Sequence, residues 1–193
     1  MPPSRGAPGG RVGGGTRGTG REQFILLPLA PDHSGLTMQE QPTLYWYISR
    51  PTSLPIEFTL TEAQATAPEI EVRLPAVDKA GFQHVSLADQ RIRLKSGVAY
   101  RWFVAVVADP QRRSKDILAG GAIERIVTSA AVSSMVSGLD KPKAAARMAQ
   151  NGIWYDALQL LSEAIDADPT NADARRLRQL LLSQVGLGDL DQQ

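Results

Sequence analysis

Leu94–Pro110, LKSGVAYRWFVAVVADP, is the stretch that decides the fold of this 193-residue chain. From Val98 to Ala108 it is the longest strongly apolar run in the sequence, and it reads as a central β-strand. Successive strand residues point to opposite faces. Tyr100, Trp102, Val104, Val106 and Ala108 therefore share one face, and Arg101, Phe103, Ala105 and Val107 the other. The lead-in Leu94-x-x-Gly97-x-x-Tyr100 has the pattern of a tyrosine corner, in which a glycine turns the chain and the tyrosine hydroxyl bonds backbone slightly upstream. Both features point to an antiparallel β-sandwich.

The flanking sequence supplies further strands. Upstream, Phe24–Leu29, Gly35–Thr37, Thr43–Ser49, Ile56–Thr61, Glu69–Leu74 and His84–Ala88 are short, and most alternate apolar with polar residues. In Thr43–Ser49, Leu44, Trp46 and Ile48 oppose Tyr45 and Tyr47, and the tryptophan fits the core. Downstream, Ile117–Val127 is a last strand, where Gly120-Gly121 predicts a bulge or a close backbone approach. Short strands separated by turns at this spacing predict a mainly β fold, a sandwich of the fibronectin or immunoglobulin kind over residues 22–128, with a barrel as the alternative.

From residue 129 the period becomes helical. Ala130–Val136 and Lys143–Gln150 are alanine-rich, with breaks expected at Gly138 and Pro142. Gly152 to Asn171 resembles the second half of a tetratricopeptide repeat. Gly152 falls at the turn, Trp154 at the aromatic position, Ala157 and Ala164 at the close-packing positions and Pro169 at the stop. Ala172–Val185 reads as the start of a further unit. One such repeat cannot bury its own apolar face, so the 129–193 segment must pack on the β-domain or on a partner.

Residues 1–21 are rich in Gly, Pro and Arg, and read as a flexible basic arm. Gly13-x-Gly15-x-x-Gly18 matches a dinucleotide fingerprint only formally, since no strand precedes it and a β-run follows. The net charge is +1, from 21 basic and 20 acidic residues, and no basic stripe lies beyond the arm, which argues against a nucleic-acid partner. There is no cysteine, which excludes disulfides, thiolate metal sites and a cysteine nucleophile. No run approaches the roughly 18 apolar residues of a membrane span, and the first twenty residues lack the apolar core of a signal peptide.

The chain shows little that carries chemistry. His33 and His84 are far apart in sequence and neither lies in a metal-binding or catalytic spacing, so no metal and no cofactor are expected. There is no Gly-x-Ser-x-Gly elbow and no Ser-x-x-Lys pair. Trp46, Trp102 and Trp154 sit at packing positions rather than on a sugar platform. Arg112-Arg113-Ser114-Lys115 forms a compact basic loop, the best exposed candidate for an anionic partner.

Several motifs together resemble the bacterial family known as domain of unknown function 928. They are Gly13–Gly18, Pro42–Tyr47, Pro55–Phe58, Tyr100-Arg-Trp102, Asp109-Pro-Gln-x-Arg-Ser114 and Gly152–Leu158. The resemblance runs from about Pro2 to Gly186 and departs at Gly20-Arg21, where a cysteine is expected. It implies a β-rich domain with a helical tail, and export to the periplasm or cell envelope, although this chain shows no signal peptide.

The leading expectation is a non-enzymatic scaffold module that binds a protein partner, its oligomeric state left open. The alternative is a sandwich that binds a glycan or another polymer, using Tyr45 or Tyr47 with the Arg112, Arg113 and Lys115 loop. A hydrolase built on carboxylates is the weakest expectation, because no pair can be located from sequence.

Overall fold

The structure, a computed structural model, describes residues 11–15, 24–127 and 130–192. Among them the strands are β1 (Gly14–Gly15), β2 (Ile25–Pro28), β3 (Gly35–Thr37), β4 (Thr43–Ile48), β5 (Ile56–Glu62), β6 (Ile70–Leu74), β7 (Gly81–Ser86), β8 (Ala99–Val106) and β9 (Ile117–Arg125). The helices are α1 (Ala130–Val136), α2 (Lys141–Gln150), α3 (Trp154–Ala167) and α4 (Ala172–Ser183). The fold is mixed, with two open sheets in the orders β1-β2-β4-β7 and β3-β9-β8-β5-β6, and a helical tail.

The chain forms two compact units. The first takes the described residues up to Ser34, Tyr45–His84 and Ala99–Ile123; the second takes Gly35–Leu44, Val85–Val98 and the residues from Glu124 onward.

In the first unit β5 and β8 form the antiparallel centre. Their register sets Ile56 opposite Val106, Phe58 opposite Val104 and Leu60 opposite Trp102, and all six side chains are buried. This is the alternation expected for the Val98–Ala108 run, now matched across two strands. Trp46 is buried as well. The β9 glycines mark a close approach. A Cβ at Gly120 would stand 2.3 Å from the Phe103 ring and 2.5 Å from the Trp102 carbonyl oxygen, distances that only a hydrogen tolerates.

The described end of the arm pairs with strands. Residues 12–15, read as part of a flexible segment, hydrogen-bond to strands of both sheets. Gly14 and Gly15 pair with Leu26 and Ile25 of β2, while Val12 and Gly120 of β9 exchange N–H···O bonds of 3.0 and 2.8 Å. A Cβ at Gly14 would come within 2.5 Å of the Leu118 carbonyl oxygen, so glycine here serves close backbone packing rather than a phosphate. Gly18, the Gly20-Arg21 step and the rest of the arm lie outside the described residues.

In the second unit, α2 and α4 both pack on α3. Asp140 caps α2 by accepting the Lys143 N–H at 3.0 Å, and Asn171 caps α4 by accepting that of Ala174 at 3.0 Å. Pro142 does not break a helix, as expected above, but sits in the first turn of α2. That is a position where its missing N–H costs nothing. Gly138 and Gly152 hold φ of +74° and +75° at the turns before α2 and α3. Within the described residues, no helix is long and apolar enough to cross a membrane.

Candidate interaction surfaces

The five residues singled out as an interaction surface all lie in the first unit, in two different settings. Arg112 and Lys115 are exposed on the loop before β9. Arg113 is held between two acids, 2.5 Å from Glu57 and 2.6 Å from Asp116. The bond to Glu57, then that to Asp116, pushes the guanidinium further into its charged form. Arg112 lies 3.5 Å from Asp109. The loop is thus salted by its own acids, and its field is weaker than the run of basic residues implied.

Tyr45 and Tyr47 are not surface residues, which corrects the reading that paired them with the basic loop. They are 7% and 5% exposed. Tyr45 lies against the His84 ring at 5.7 Å between centroids, and Tyr47 meets Phe82 edge-on at 6.1 Å. Tyr45–Ile48 are all buried, so the β4 alternation separates two covered faces instead of an inner and an outer one. His33 and His84 are exposed. Among the described residues no group of three or more His, Cys, Asp or Glu could hold a metal ion.

The second unit contains polar contacts that sequence reading missed. α3 carries Asp156, Gln159 and Glu163 along one stripe, at i, i+3 and i+7. Asp156 is 2% exposed, and both its carboxylate oxygens accept the Met38 N–H, at 3.3 and 3.2 Å. Burial pushes this carboxyl above the usual carboxylate range, against bonds from Thr37, Met38 and Gln39. One turn on, the Gln159 side-chain oxygen accepts the Thr43 N–H at 3.1 Å and the Gln39 amide at 3.2 Å. Its amide donates to Glu163 at 2.9 Å, and Lys141 donates to the other Glu163 oxygen at 2.6 Å. Burial alone raises the Glu163 carboxyl, but the Lys141 and Gln159 bonds outweigh it and hold it low. This face of α3 grips the backbone of Met38 and Thr43 much as a receptor grips an extended peptide. A polar stripe on an otherwise apolar helix was the available sequence signal.

The opposite setting is an open groove of about 190 Å³ between α2 and α4. Ala145, Ala146 and Ala149 form one wall, Leu177, Leu180 and Leu181 the other, and Leu161 of α3 the floor. Leu180 is 51% exposed, unusual for a leucine facing so much apolar surface.

A search of curated proteins finds no match to the chain. A family model described as Domain of Unknown Function (DUF928) matches residues 12–193. With essentially its whole length matched, the chain belongs to that family.

Proposed function

We propose that the chain is a non-enzymatic protein-binding scaffold, in which a β-sandwich of the fibronectin or immunoglobulin kind carries a tetratricopeptide-like helical tail. One observation carries this reading: the α2–α4 groove is apolar, open and lined by an exposed leucine, while the polar face of α3 is already filled by the chain's own residues 38–43. A helical layer with one face occupied and one face empty is suited to accept another element. The two-sheet arrangement and the small residues Ala145, Ala149 and Ala157 support the finer architecture. The buried carboxylate, Asp156, is engaged by a backbone amide, an anchoring rather than a hydrolytic arrangement. Burial of Tyr45 and Tyr47 removes the motive for a glycan platform.

The test is capture from extract with the intact chain and its Leu180→Asp variant as parallel baits, after matched circular dichroism confirms that both fold. Proteins retained by the parent and lost by the variant are the expected outcome. Identical sets of retained proteins would overturn the groove as the binding face.

A further inference from the structure

We propose that the chain forms a two-fold dimer through the free edge of β6, which pairs antiparallel with β6 of a second copy and is held in register by Glu71 and Arg73. The inference goes beyond the protein-binding reading above and does not depend on the helical tail.

β6 is the outermost strand of its sheet and, among the described residues, pairs with β5 alone. The pairing runs unbroken from Ile56 opposite Leu74 to Leu60 opposite Ile70, so no bulge turns the strand away. Edge strands are ordinarily blunted by proline, by lysine or by a charge aimed at the core. Ile70–Leu74 has none of these. Pro68 and Pro75 stand outside the strand and frame its five residues. Ile70, Val72 and Leu74 are only half-buried, although their β5 neighbours Leu60, Phe58 and Ile56 are fully buried. An apolar row is thus left half-covered at the rim of the sheet.

The strand is its own complement. In an antiparallel pair centred on Val72, Ile70 lies opposite Leu74 of the second copy, Glu71 opposite Arg73 of the second copy, and the two Val72 residues meet on the axis. The apolar row then continues on the core face, and opposite charges meet twice on the outer face. Other registers fail. A slip of one residue carries the apolar row to the wrong face. A slip of two sets Glu71 against Glu71 in one direction and Arg73 against Arg73 in the other. Neither residue faces a free opposite charge across its own sheet. Arg73 stands opposite Glu57, whose carboxylate is bonded to Arg113 at 2.5 Å, and Glu71 stands opposite Thr59. A second copy supplies both missing partners, whereas a foreign strand would have to reproduce the same alternation.

Sedimentation velocity of the intact chain over a range of concentrations reads the dimer. Glu71→Arg and Arg73→Glu each set like charges opposite one another twice, and each is expected to weaken the dimer by about tenfold or more. The protein carrying both substitutions restores opposite charges and should recover the dissociation constant of the parent. Both side chains are exposed, so the fold should persist, and circular dichroism checks that it does. The chain has no cysteine, which makes the axis directly readable. Opposed Cα atoms in an antiparallel pair lie about 4.5–5.5 Å apart, within the span of a disulfide. Val72→Cys should therefore oxidise to a covalent dimer faster than the more exposed Glu71→Cys, whose counterpart is Arg73.

A chain that stays monomeric at every concentration would overturn the proposal. So would a dimer indifferent to both charge reversals, or one that the double exchange fails to restore. Faster cross-linking through Glu71→Cys would overturn the Val72 axis and the proposal with it. A dimer dispersed by Leu180→Asp would place the contact on the α2–α4 groove instead. The charge reversals lie far in sequence from that groove, so partner capture stands or falls separately.

Discussion

The Met38 amide is aimed between the two carboxylate oxygens of Asp156, 3.3 Å from one and 3.2 Å from the other, across 118 residues of sequence. A buried carboxylate that is nearly inaccessible and still engaged by backbone costs solvation free energy, and in return it fixes where α3 meets residues 37–39. Asp156→Ala leaves the Met38 N–H without its acceptor in a dry site. It should destabilise the protein by about 1–3 kcal/mol. Asp156→Asn keeps an acceptor, removes the buried charge and should be neutral or stabilising at neutral pH. Urea denaturation of the three proteins checks the order, and an Asn variant as damaged as the Ala variant would contradict it.

The pH profile should tilt in opposite directions at two carboxylates. Burial raises the Asp156 carboxyl, so its stabilising contribution is complete below the unfolded value of about 3.9 and is lost as pH rises through the folded one. The advantage of Asp156→Asn over the parent should therefore grow from acid towards neutral pH. Glu40 behaves in reverse. The bond from Arg93, then the charge of Arg125 at 2.9 Å, lowers its carboxyl. Its contribution is present above the unfolded value of about 4.3 and disappears as pH falls through the folded one. Glu40→Gln should thus be weaker than the parent near neutrality and converge with it in acid. Parallel profiles for the parent and either variant would refute that half of the prediction.

Gly120→Ala should be costly in spite of its small size. The new methyl would lie 2.3 Å from the Phe103 ring and 2.5 Å from the Trp102 carbonyl oxygen, and the backbone atom cannot swing away. A loss of about 1–3 kcal/mol is expected, as for overpacking elsewhere. Thermal denaturation measures it, and an unchanged midpoint would show that β9 can move aside freely.

Gly14→Ala tests the docked arm. Its methyl would meet the Leu118 carbonyl oxygen at 2.5 Å, so residues 12–15 should lift from β2 and β9 while the sheets remain. Limited trypsin digestion should then cut after Arg11 faster than in the parent. Equal rates would mean that the arm's pairing does not depend on the glycine.

The strands were legible because a two-residue period needs only local sequence. Phe58 and Leu60 alternate with Glu57 and Thr59, and the pattern survives into the β5–β8 register. The two tyrosines were misjudged because alternation reports that a strand has two faces and is silent about what covers each. His84 and Phe82, from a strand distant in sequence, cover the second one. β1 was invisible because glycine has no side chain to alternate. Pro142 was misplaced because its effect depends on whether it falls inside a helix or in its first turn, and the Asp140 cap settles which. The polar stripe of Asp156 and Gln159 is visible in the sequence, but its partners, backbone groups at Met38 and Thr43, are more than a hundred residues away and no local pattern announces them.

The second unit is assembled from three separate stretches of chain, and this sets an order of events at the ribosome. Residues 35–44 emerge early, but the side chains that receive their amides are not made until synthesis has passed Gln159. Until then the Met38 and Thr43 amides lack these acceptors. A nascent chain halted anywhere before α3 carries an unclosed segment next to growing strands, the circumstance in which β-rich chains aggregate. Residues 156–159 thus act as a completion signal for residues 38–43, made more than a hundred positions earlier.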